Sequence, residues 1–341
     1  MVMMLRSSSA RNRVRILLFV GAVILIFACF KFRGSSNEIE IPGFEKLDLK
    51  QFPDLGITVA EEFPTDGPAR MEKIIHQTWK TTDVPHHYIE WVKTWTKNHP
   101  DWKYMFWTDE SARKLISDKY SHLLPAYDMY LENIRRADAM RYVILHEYGG
   151  VYVDLDMESL SSLNSIVTKY SCILPQEPYE HPMIDSNFEH LVINAFMACR
   201  SGHPLMKKFL ETLPKFAHMW NVLDSTGPHY ATFVYHDYVD NSKLKPTDDD
   251  GVYLAPAEYF FPTIDPTKFP YMKERCYKLF ESMSYIQKQA CVSLKLKGLK
   301  RQPYFYSFTD HHWVHTYFVN RVSIRGPVSI FDIAPHADIY K

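Results

Sequence analysis

The sequence RRADAMRYVILHEYGGVYVDLDMESL, residues 135–160, predicts a buried helix that turns directly into a short strand. Apolar residues surround most of a predicted helix over Leu131–Tyr148, and Gly149 and Gly150 end it. The β-forming residues Val151–Val153 follow at once. A helix that returns straight to a strand is typical of α/β proteins, in which ligands bind beyond the carboxyl ends of the strands.

The alternation of short apolar runs and helical patterns continues on both sides of this stretch. The predicted strands are Lys73–Trp79, Trp102–Trp107, Ser171–Leu174 and Leu191–Cys199, and the predicted helices are Pro85–Asn98, Asp109–Tyr120 and Pro204–Phe216. This order predicts an α/β fold with a mixed, mainly parallel sheet flanked by helices. We expect it to form one domain over residues 71–341.

The composition is that of a globular protein. Hydrophobic residues make up 46% and charged residues 23% of the chain, which excludes wholesale disorder. Residues 1–33 carry six basic and no acidic residues, whereas the rest of the chain carries 33 basic and 40 acidic residues. This mildly acidic body argues against nucleic acid as a partner.

An apolar stretch near the amino terminus predicts a membrane anchor. Ile16–Phe30 contains fifteen residues without a charge, and basic residues flank it on both sides. The arginines before it place the amino terminus in the cytosol and the body in the lumen. We predict a cytosolic tail over residues 1–15, a transmembrane signal anchor over 16–32 and a proline-containing stem over 33–70. A cleaved signal peptide is the alternative.

Four cysteines lie in the predicted body, namely Cys172, Cys199, Cys276 and Cys291. An oxidising lumen permits disulfides between them. Three pairings are open, because sequence alone does not decide connectivity. No Cys-x-x-Cys spacing indicates a zinc site.

Two carboxylates follow the short strand and predict a cation site. Alternation along an extended chain directs Asp154 and Asp156 to the same side. Carboxylates that lie this close repel each other unless a cation lies between them. Carboxylate oxygens suit Mg²⁺ or Mn²⁺, which also bind substrate phosphates.

The helix before this strand carries three charged residues, Arg135, Asp138 and Arg141, at a spacing of three. We expect them to share a neighbourhood on one side of the helix. A buried carboxylate is costly unless it is paired, so the three residues taken alone indicate a structural network. Their position before Asp154 and Asp156 makes them candidates for ligand binding as well.

With these motifs the sequence resembles glycosyltransferase family 32, which contains the inositol phosphoceramide mannosyltransferases and the initiating α-1,6-mannosyltransferase. An Asp-x-Asp motif in a sugar-binding segment is typical of that family. Further matching blocks are Ile74–Trp79 (IIHQTW), His99–Trp102 (HPDW), Phe106–Asp109 (FWTD), Asn194–Pro204, Thr226–Pro228 and Thr309–Trp313 (TDHHW). The resemblance covers roughly residues 71–318.

The resemblance implies a GT-A-type, Rossmann-like fold, a nucleotide-sugar donor and a divalent metal, Mn²⁺ or Mg²⁺. It also implies transfer with retention of configuration and a single-pass type II Golgi membrane protein with a luminal catalytic domain. The leading expectation is transfer of mannose from GDP-mannose to a glycolipid such as inositol phosphoceramide, or to a glycan. A UDP-galactose or UDP-N-acetylglucosamine transferase of the α-1,4 type is the alternative.

By position, the resemblance also implies roles for individual residues. Asp138, Asp154 and Asp156 would be catalytic, with Asp138 on the donor sugar. Asp154, Asp156 and His312 would hold the metal. The implied substrate-binding residues are His76, Gln77, Trp79 (stacked on the nucleotide base), Arg135, Arg141, His311, His312 and Trp313. Which of His311 and His312 corresponds to the family's functional histidine stays open.

Two other classes of function compete with this interpretation. One is a non-catalytic luminal glycan-binding protein on the same fold, since a fold does not guarantee an activity. The other is an Asp-x-Asp phosphohydrolase. Enzymes of that kind carry the motif on their first strand, whereas about 80 residues of the predicted body precede Asp154 here.

Overall fold

The computed structural model describes residues 60–186, 188, 190–315 and 326–341. The strands are β1 (Ile74–Thr78), β2 (Asp83–Val84), β3 (Lys103–Trp107), β4 (Gly150–Val153), β5 (Met157–Ser159), β6 (Cys172–Pro175), β7 (Phe196–Cys199), β8 (Tyr253–Ala255), β9 (Thr309–His311) and β10 (Val328–Ser329). The α-helices are α1 (Ile89–Asn98), α2 (Asp109–Lys119), α3 (Leu124–Met129), α4 (Asn133–Tyr148), α5 (Asn164–Lys169), α6 (Pro204–Phe216), α7 (Val222–Ser225), α8 (Pro228–Val239), α9 (Ala257–Phe260), α10 (Phe269–Leu279), α11 (Tyr285–Lys297) and α12 (Ile330–Ile333).

The predicted cytosolic tail and signal anchor lie outside the described residues, as does most of the predicted stem. Among the residues that are described, no helix has the length and apolar character needed to cross a membrane.

Six strands form the central sheet in the order β3-β1-β4-β7-β6-β8. Strands β3, β1 and β4 run parallel, and so do β6 and β8, whereas β7 is antiparallel to both of its neighbours. The carboxyl ends of β1, β3 and β4 therefore meet at one edge of the sheet. The predicted α/β fold with a mixed, mainly parallel sheet is confirmed.

The observed elements differ from the predicted ones mainly at their ends. The predicted helix Pro85–Asn98 begins with a single 3₁₀ turn before α1 starts at Ile89, because Pro85 has an extended backbone. Only Phe196–Cys199 of the predicted strand Leu191–Cys199 pairs in the central sheet, as β7.

Helices cover both faces of the sheet, so the sheet separates two apolar cores. One core packs α2, α4, α6 and α8 against one face through residues such as Met140, Val143 and Phe209. The other packs α1, α5 and α9 against the opposite face through residues such as Trp95 and Phe260. Burial on both faces explains why the strands read as continuous apolar runs rather than as alternating patterns.

The turn from α4 into β4 requires both of its glycines. Gly149 and Gly150 have φ angles of 63° and 88°, in the region that side chains disfavour. A Cβ on Gly149 would lie 2.5 Å from the backbone nitrogen of Ser201, and one on Gly150 would lie 2.5 Å from the carbonyl oxygen of Ile74. The Gly149 N–H donates to the carbonyl of Leu145, so this glycine ends the helix as predicted.

Two disulfides select one of the three possible pairings. Cys172 and Cys199 lie opposite each other on the paired strands β6 and β7. Cys276 and Cys291 join α10 to α11.

Residues that the sequence analysis assigns to the stem contact the body. The Glu61 carboxylate accepts hydrogen bonds from the hydroxyls of Tyr170 and Tyr253 and pairs with Lys169. The Phe63 ring packs edge-on against Tyr259. The chain is therefore already fixed to the body at Glu61.

The disulfide between α10 and α11 should stabilise the fold without touching the Asp-x-Asp edge. Its cysteines are 15 residues apart, a loop for which the lost entropy of the unfolded chain is worth about 3 kcal/mol. We predict that replacing Cys276 and Cys291 together by alanine lowers the free energy of unfolding by about that amount. Urea unfolding of the full chain in detergent measures it. An unchanged urea midpoint would contradict the prediction.

Candidate active site

The candidate site lies where the carboxyl ends of β1, β3 and β4 meet. Asp154 comes directly after β4, and its N–H donates to the carbonyl of Ala195 at 2.8 Å. Helix α4 leads back into β4, so the amino-terminal half of the helix, with Asp138, lies at the same edge. The fold thus gathers residues from the helix and from the strand end.

Asp138 is buried and held by three side chains. Its Oδ1 accepts from Asn194 Nδ2 at 3.0 Å and lies 3.0 Å from Arg141 Nη2. Its Oδ2 accepts from the Thr226 hydroxyl at 3.0 Å. Burial raises the pKa of Asp138, although Arg141, Thr226 and Asn194 each favour the ionised form. The expected Arg–Asp network exists, and it leaves one oxygen of Asp138 with a single partner.

Arg141 connects the helix to the strand end. Its Nη2 lies 3.0 Å from Asp138 and 3.5 Å from Asp154, and its guanidinium lies 4.6 Å from the centre of the Tyr152 ring. The side chain is 3% exposed. One buried cation thereby neutralises two carboxylates that the sequence analysis assigned to separate motifs.

Arg135 does not reach these carboxylates. Its guanidinium donates to Glu132 and to the carbonyls of Met219 and Trp220, at 2.7–2.8 Å. Its donors fix the loop before α7, and the expectation that Arg135 binds the donor stays a prediction.

Asp154 is the more accessible of the two strand-end carboxylates, with a side chain that is 30% exposed. Its Oδ1 accepts from the Tyr152 hydroxyl at 2.8 Å. Burial and the neighbouring Asp156 raise the pKa of Asp154, while Arg141 opposes the shift. The Gln77 amide donates to the Asp154 carbonyl at 3.3 Å, so Gln77 supports the backbone at the site.

Asp156 is enclosed by the segment that follows β9. Its Oδ1 lies 3.1 Å from His311 Nε2, and its Oδ2 accepts from the Val314 N–H at 2.7 Å. The Asp156 carbonyl accepts from the His312 N–H at 2.8 Å. Burial disfavours the ionised carboxylate, but His311 and Val314 outweigh it and lower the pKa of Asp156. Asp156 also raises the pKa of His311 against the effect of burial.

The side chain of His311, and not that of His312, contacts the carboxylates of the Asp-x-Asp motif. His312 Nε2 lies 3.0 Å from Glu158, and its ring stacks on Trp91 with the centroids 3.9 Å apart. Successive residues of an extended segment point in opposite directions, so only one of the two can face Asp156. The His311 ring therefore lies beside the carboxylates, and the expectation that His312 binds a metal stays a prediction.

Trp313 closes the segment in a strained conformation. It has a φ of 53°, the one positive value found for a non-glycine among the described residues. Its indole N–H donates to the carbonyl of Thr263 at 3.2 Å, and its ring lies 4.2 Å from that of His311. The buried indole therefore supports His311 from behind.

Two predicted residues of the first strand occupy different surroundings. Trp79 follows β1 at the site edge, half-buried, with its ring 5.5 Å from that of Tyr88. His76 is fully buried in the middle of β1. Its Nδ1 accepts from the Trp107 indole at 3.1 Å, and its Nε2 donates to the Gly149 carbonyl at 2.8 Å. Both ring nitrogens are occupied, so His76 supports the structure of β1, and the expectation that it binds substrate stays a prediction.

Sequence reasoning missed Asn194, Thr226 and Tyr152 as members of the site. Asn194 and Thr226 open two of the blocks that carry the family resemblance, but neither follows a parallel strand. Asn194 lies just before β7, and because β7 is antiparallel, its amino end is at the same edge as Asp154. The direction of β7 was the missing signal.

The donor set fits a divalent cation. Asp154 and Asp156 supply carboxylate oxygens, whereas the Nε2 of His311 faces Asp156 and its Nδ1, which is buried without a hydrogen-bond partner in the described part of the chain, lies on the other side of the ring. Such a set suits Mn²⁺ or Mg²⁺. Another cluster of potential ligands, Cys172, Cys199 and His203, is not equivalent, because its two sulfurs are bonded to each other.

Comparison with known proteins agrees with this geometry. Residues 85–173 match the family described as glycosyltransferase sugar-binding region containing DXD motif. The chain is 33% identical over 195 residues to inositol phosphoceramide mannosyltransferase 3 of Schizosaccharomyces pombe, covering 56% of this chain and 51% of that protein. It is 30% identical over 140 residues to the initiation-specific alpha-1,6-mannosyltransferase of Candida albicans, covering 39% of this chain and 36% of that protein. The resemblance to the DXD glycosyltransferases is confirmed.

The extent of these matches is limited. The chain spans about half the length of the inositol phosphoceramide mannosyltransferases that it matches. Among solved structures, the PaToxG glycosyltransferase is similar with a TM-score of 0.41 and 16% identity, over 67% of this chain and 86% of that one.

The buried histidines predict a loss of stability in mild acid. Burial lowers the pKa of His76 and of His99 to about 4, whereas an unfolded histidine titrates near 6.5. Between these values only the unfolded chain takes up the protons. Burial also lowers the pKa of His203 to about 4. The free energy of unfolding should therefore be fully present above pH 6.5 and fall as the pH drops toward 4, by up to about 4 kcal/mol per pH unit for the three groups.

Urea unfolding at pH 7, 6 and 5 and constant ionic strength measures this slope. His76→Gln should reduce it by about a third, since three histidines contribute, and His99→Gln is the matched second variant. A slope that neither substitution changes would mean that other groups cause the acid sensitivity.

Proposed function

We propose that this chain, which resembles the DXD glycosyltransferases, is a metal-dependent glycosyltransferase that moves a hexose from a nucleotide sugar. The leading reaction is transfer of mannose from GDP-mannose to a glycolipid such as inositol phosphoceramide, or to a glycan, with retention of configuration. The proposal rests on Arg141, which pairs with both Asp138 and Asp154. These residues, with Asp156 two positions after Asp154, lie at the edge of the sheet where the parallel strands β1, β3 and β4 end. The proposed acceptors, inositol phosphoceramide or a glycan, are taken from the names of the matched relatives.

The proposed metal ligands are Asp154 and Asp156, and His311 pairs with Asp156 beside them. A bound Mn²⁺ or Mg²⁺ supplies a Lewis acid that stabilises the charge on the leaving diphosphate. Tyr152 orients Asp154 through its hydroxyl, and the 311–314 segment fixes Asp156. Both carboxylates are thus held in place before any ligand binds, which lowers the cost of organising them during the reaction.

Asp138 is proposed to bind the donor sugar. Its Oδ2 accepts one hydrogen bond, from Thr226, so a carboxylate lone pair there can accept a sugar hydroxyl. Arg141 adds positive charge near the bond that breaks. We assign no covalent nucleophile. Retention then proceeds by attack on the face that the diphosphate leaves, as the family resemblance implies.

We further propose a Golgi membrane location with the body in the lumen. The apolar stretch within residues 16–32 and its basic flanks support a signal anchor, followed by a stem. The two disulfides support the same assignment, since disulfides persist in oxidising compartments and are rare in the cytosol.

The metal role is tested at Asp156. We predict that the full chain in detergent binds GDP-mannose more tightly with Mn²⁺ than without it, as measured by calorimetry. Asp156→Asn should abolish that difference and reduce mannose transfer to inositol phosphoceramide by at least roughly 100-fold, the upper end of the loss for residues that merely support a metal ligand.

The matched control for this test is Asp118→Asn, which removes an exposed carboxylate at the end of α2. Unchanged activity of Asp156→Asn at saturating Mn²⁺ would contradict the metal role. UDP-galactose and UDP-N-acetylglucosamine are tested in parallel, and failure of all three donors to bind the folded chain would favour a non-catalytic binding protein.

The sugar role is tested at Asp138. We predict that Asp138→Asn weakens binding of GDP-mannose by roughly 10-fold or more while binding of GDP changes by less than about 3-fold, because only the sugar contacts this residue. Calorimetry with both ligands measures the difference. Equal losses for both would indicate that Asp138 serves only the structural network with Arg141.

A further inference from the structure

A cleft of about 350 Å³ opens outside the candidate site. It is lined by Asp109, Glu110, Arg113, Tyr127, Asp128 and Arg136, from α2, α3 and α4. Its volume lies at the lower end of the range of about 300–1,000 Å³ for small-molecule sites. None of these residues takes part in the proposed metal or sugar site.

The cleft lies at the same edge of the sheet as the Asp-x-Asp motif. Asp109 comes two residues after β3, and its N–H donates to the carbonyl of Lys80, just beyond β1, at 3.3 Å. Arg136 lies one helical turn before Met140, whose sulfur contacts the hydroxyl of Thr78 at the end of β1. Strands β3 and β4 flank β1, so their ends are about 10 Å apart at the usual spacing of about 4.8 Å. A ribose and a diphosphate bridge a separation of this size.

The charges in the cleft are not all used by the protein. Arg113 donates two hydrogen bonds to Asp128, at 2.9 and 2.7 Å, and these two residues neutralise each other. The carboxylate of Asp109, by contrast, accepts no hydrogen bond from any residue that the structure describes. Arg136 donates through Nη1 to Asn133 at 2.8 Å, and its other guanidinium donors have no hydrogen-bond partner among the described residues. The exposed carboxylate of Asp109 and the half-buried guanidinium of Arg136 therefore line the cleft together with the buried Tyr127.

We propose that this cleft binds the base of the donor nucleotide and that Asp109 selects guanine over uracil. The inference rests on the proposed function and deepens it, because it assigns the nucleotide. Guanine presents the acceptors O6 and N7, which suit a guanidinium, and the donors N1–H and N2–H₂, which suit a carboxylate. Arg136 and Asp109 supply that pair.

Uracil does not complement the same pair. Its one N–H lies between two carbonyl oxygens, so a carboxylate that accepts from the N–H also faces at least one carbonyl. A site that leaves polar groups opposed or unpaired rejects the ligand.

The test compares four nucleoside diphosphates by calorimetry on the full chain in detergent with Mn²⁺. GDP should bind more tightly than UDP by roughly 5- to 150-fold, the discrimination expected of one good bidentate contact. Inosine diphosphate, which lacks the 2-amino group of guanine, should bind at least roughly 5-fold more weakly than GDP. Xanthosine diphosphate, which has a carbonyl at that position, should bind more weakly still.

Asp109→Asn gives the decisive comparison. The asparagine amide can donate to the 2-carbonyl of xanthine, so this variant should lose affinity for GDP and gain affinity for xanthosine diphosphate. Gain for one ligand cannot result from misfolding. Asp118→Asn, an exposed carboxylate on the same helix, is the matched control and should change none of the four affinities.

Three results would overturn the assignment of Asp109. They are equal or tighter binding of UDP, equal binding of GDP and inosine diphosphate, and an equal loss of all four ligands in Asp109→Asn. Failure of every diphosphate to bind the folded wild-type chain would instead overturn the proposed function, and the assignment with it.

Discussion

The site depends on the ion pairs that Arg141 makes with Asp138 on α4 and Asp154 after β4. A buried carboxylate without a cation is strongly destabilising, and here one guanidinium serves two of them. The pairing requires that α4 turn into β4 without an intervening loop, which only the two glycines permit. It also requires β7 as the neighbour of β4, because Asn194 just before β7 completes the partners of Asp138. The glycine turn, the order of the strands in the sheet and the ion pairs of Arg141 therefore depend on one another.

Much of the fold could be predicted because its signals are local. Short apolar runs, the glycine pair and proline positions give strands, a helix end and helix starts over residues 73–216. The direction of β7 and its place in the centre of the sheet could not be predicted, since they depend on which strands pair across long sequence separations. The same holds for the disulfides, where the pairing of β6 with β7 brings Cys172 opposite Cys199.

A site residue could be predicted where its role follows from its position after a strand or along a helix. It could not be predicted where its role depends on which residues face each other around a helix or across paired strands. Asp154 and Asp156 follow a strand, and the structure gathers them with Asp138 and Arg141. Arg135 precedes Arg141 by six residues, which is about 120° around a helix, so the two cannot face the same partner. The choice between His311 and His312 depends on the pairing of β5 with β9, in which Met157 lies opposite His311. A one-residue difference in that register exchanges the two histidines.

The enclosure of Asp156 by a segment 158 residues later in the chain has a consequence for biosynthesis. Asp154 and Asp156 emerge from the ribosome long before His311 and Val314. At about 5–20 residues per second, the interval is roughly 10 to 30 s. During that time a nascent chain carries the carboxylates without the groups that orient them. The site is therefore completed only after His311 and Val314 have been synthesised, so that competence to hold a cation and a donor arises long after the Asp-x-Asp motif itself has been made.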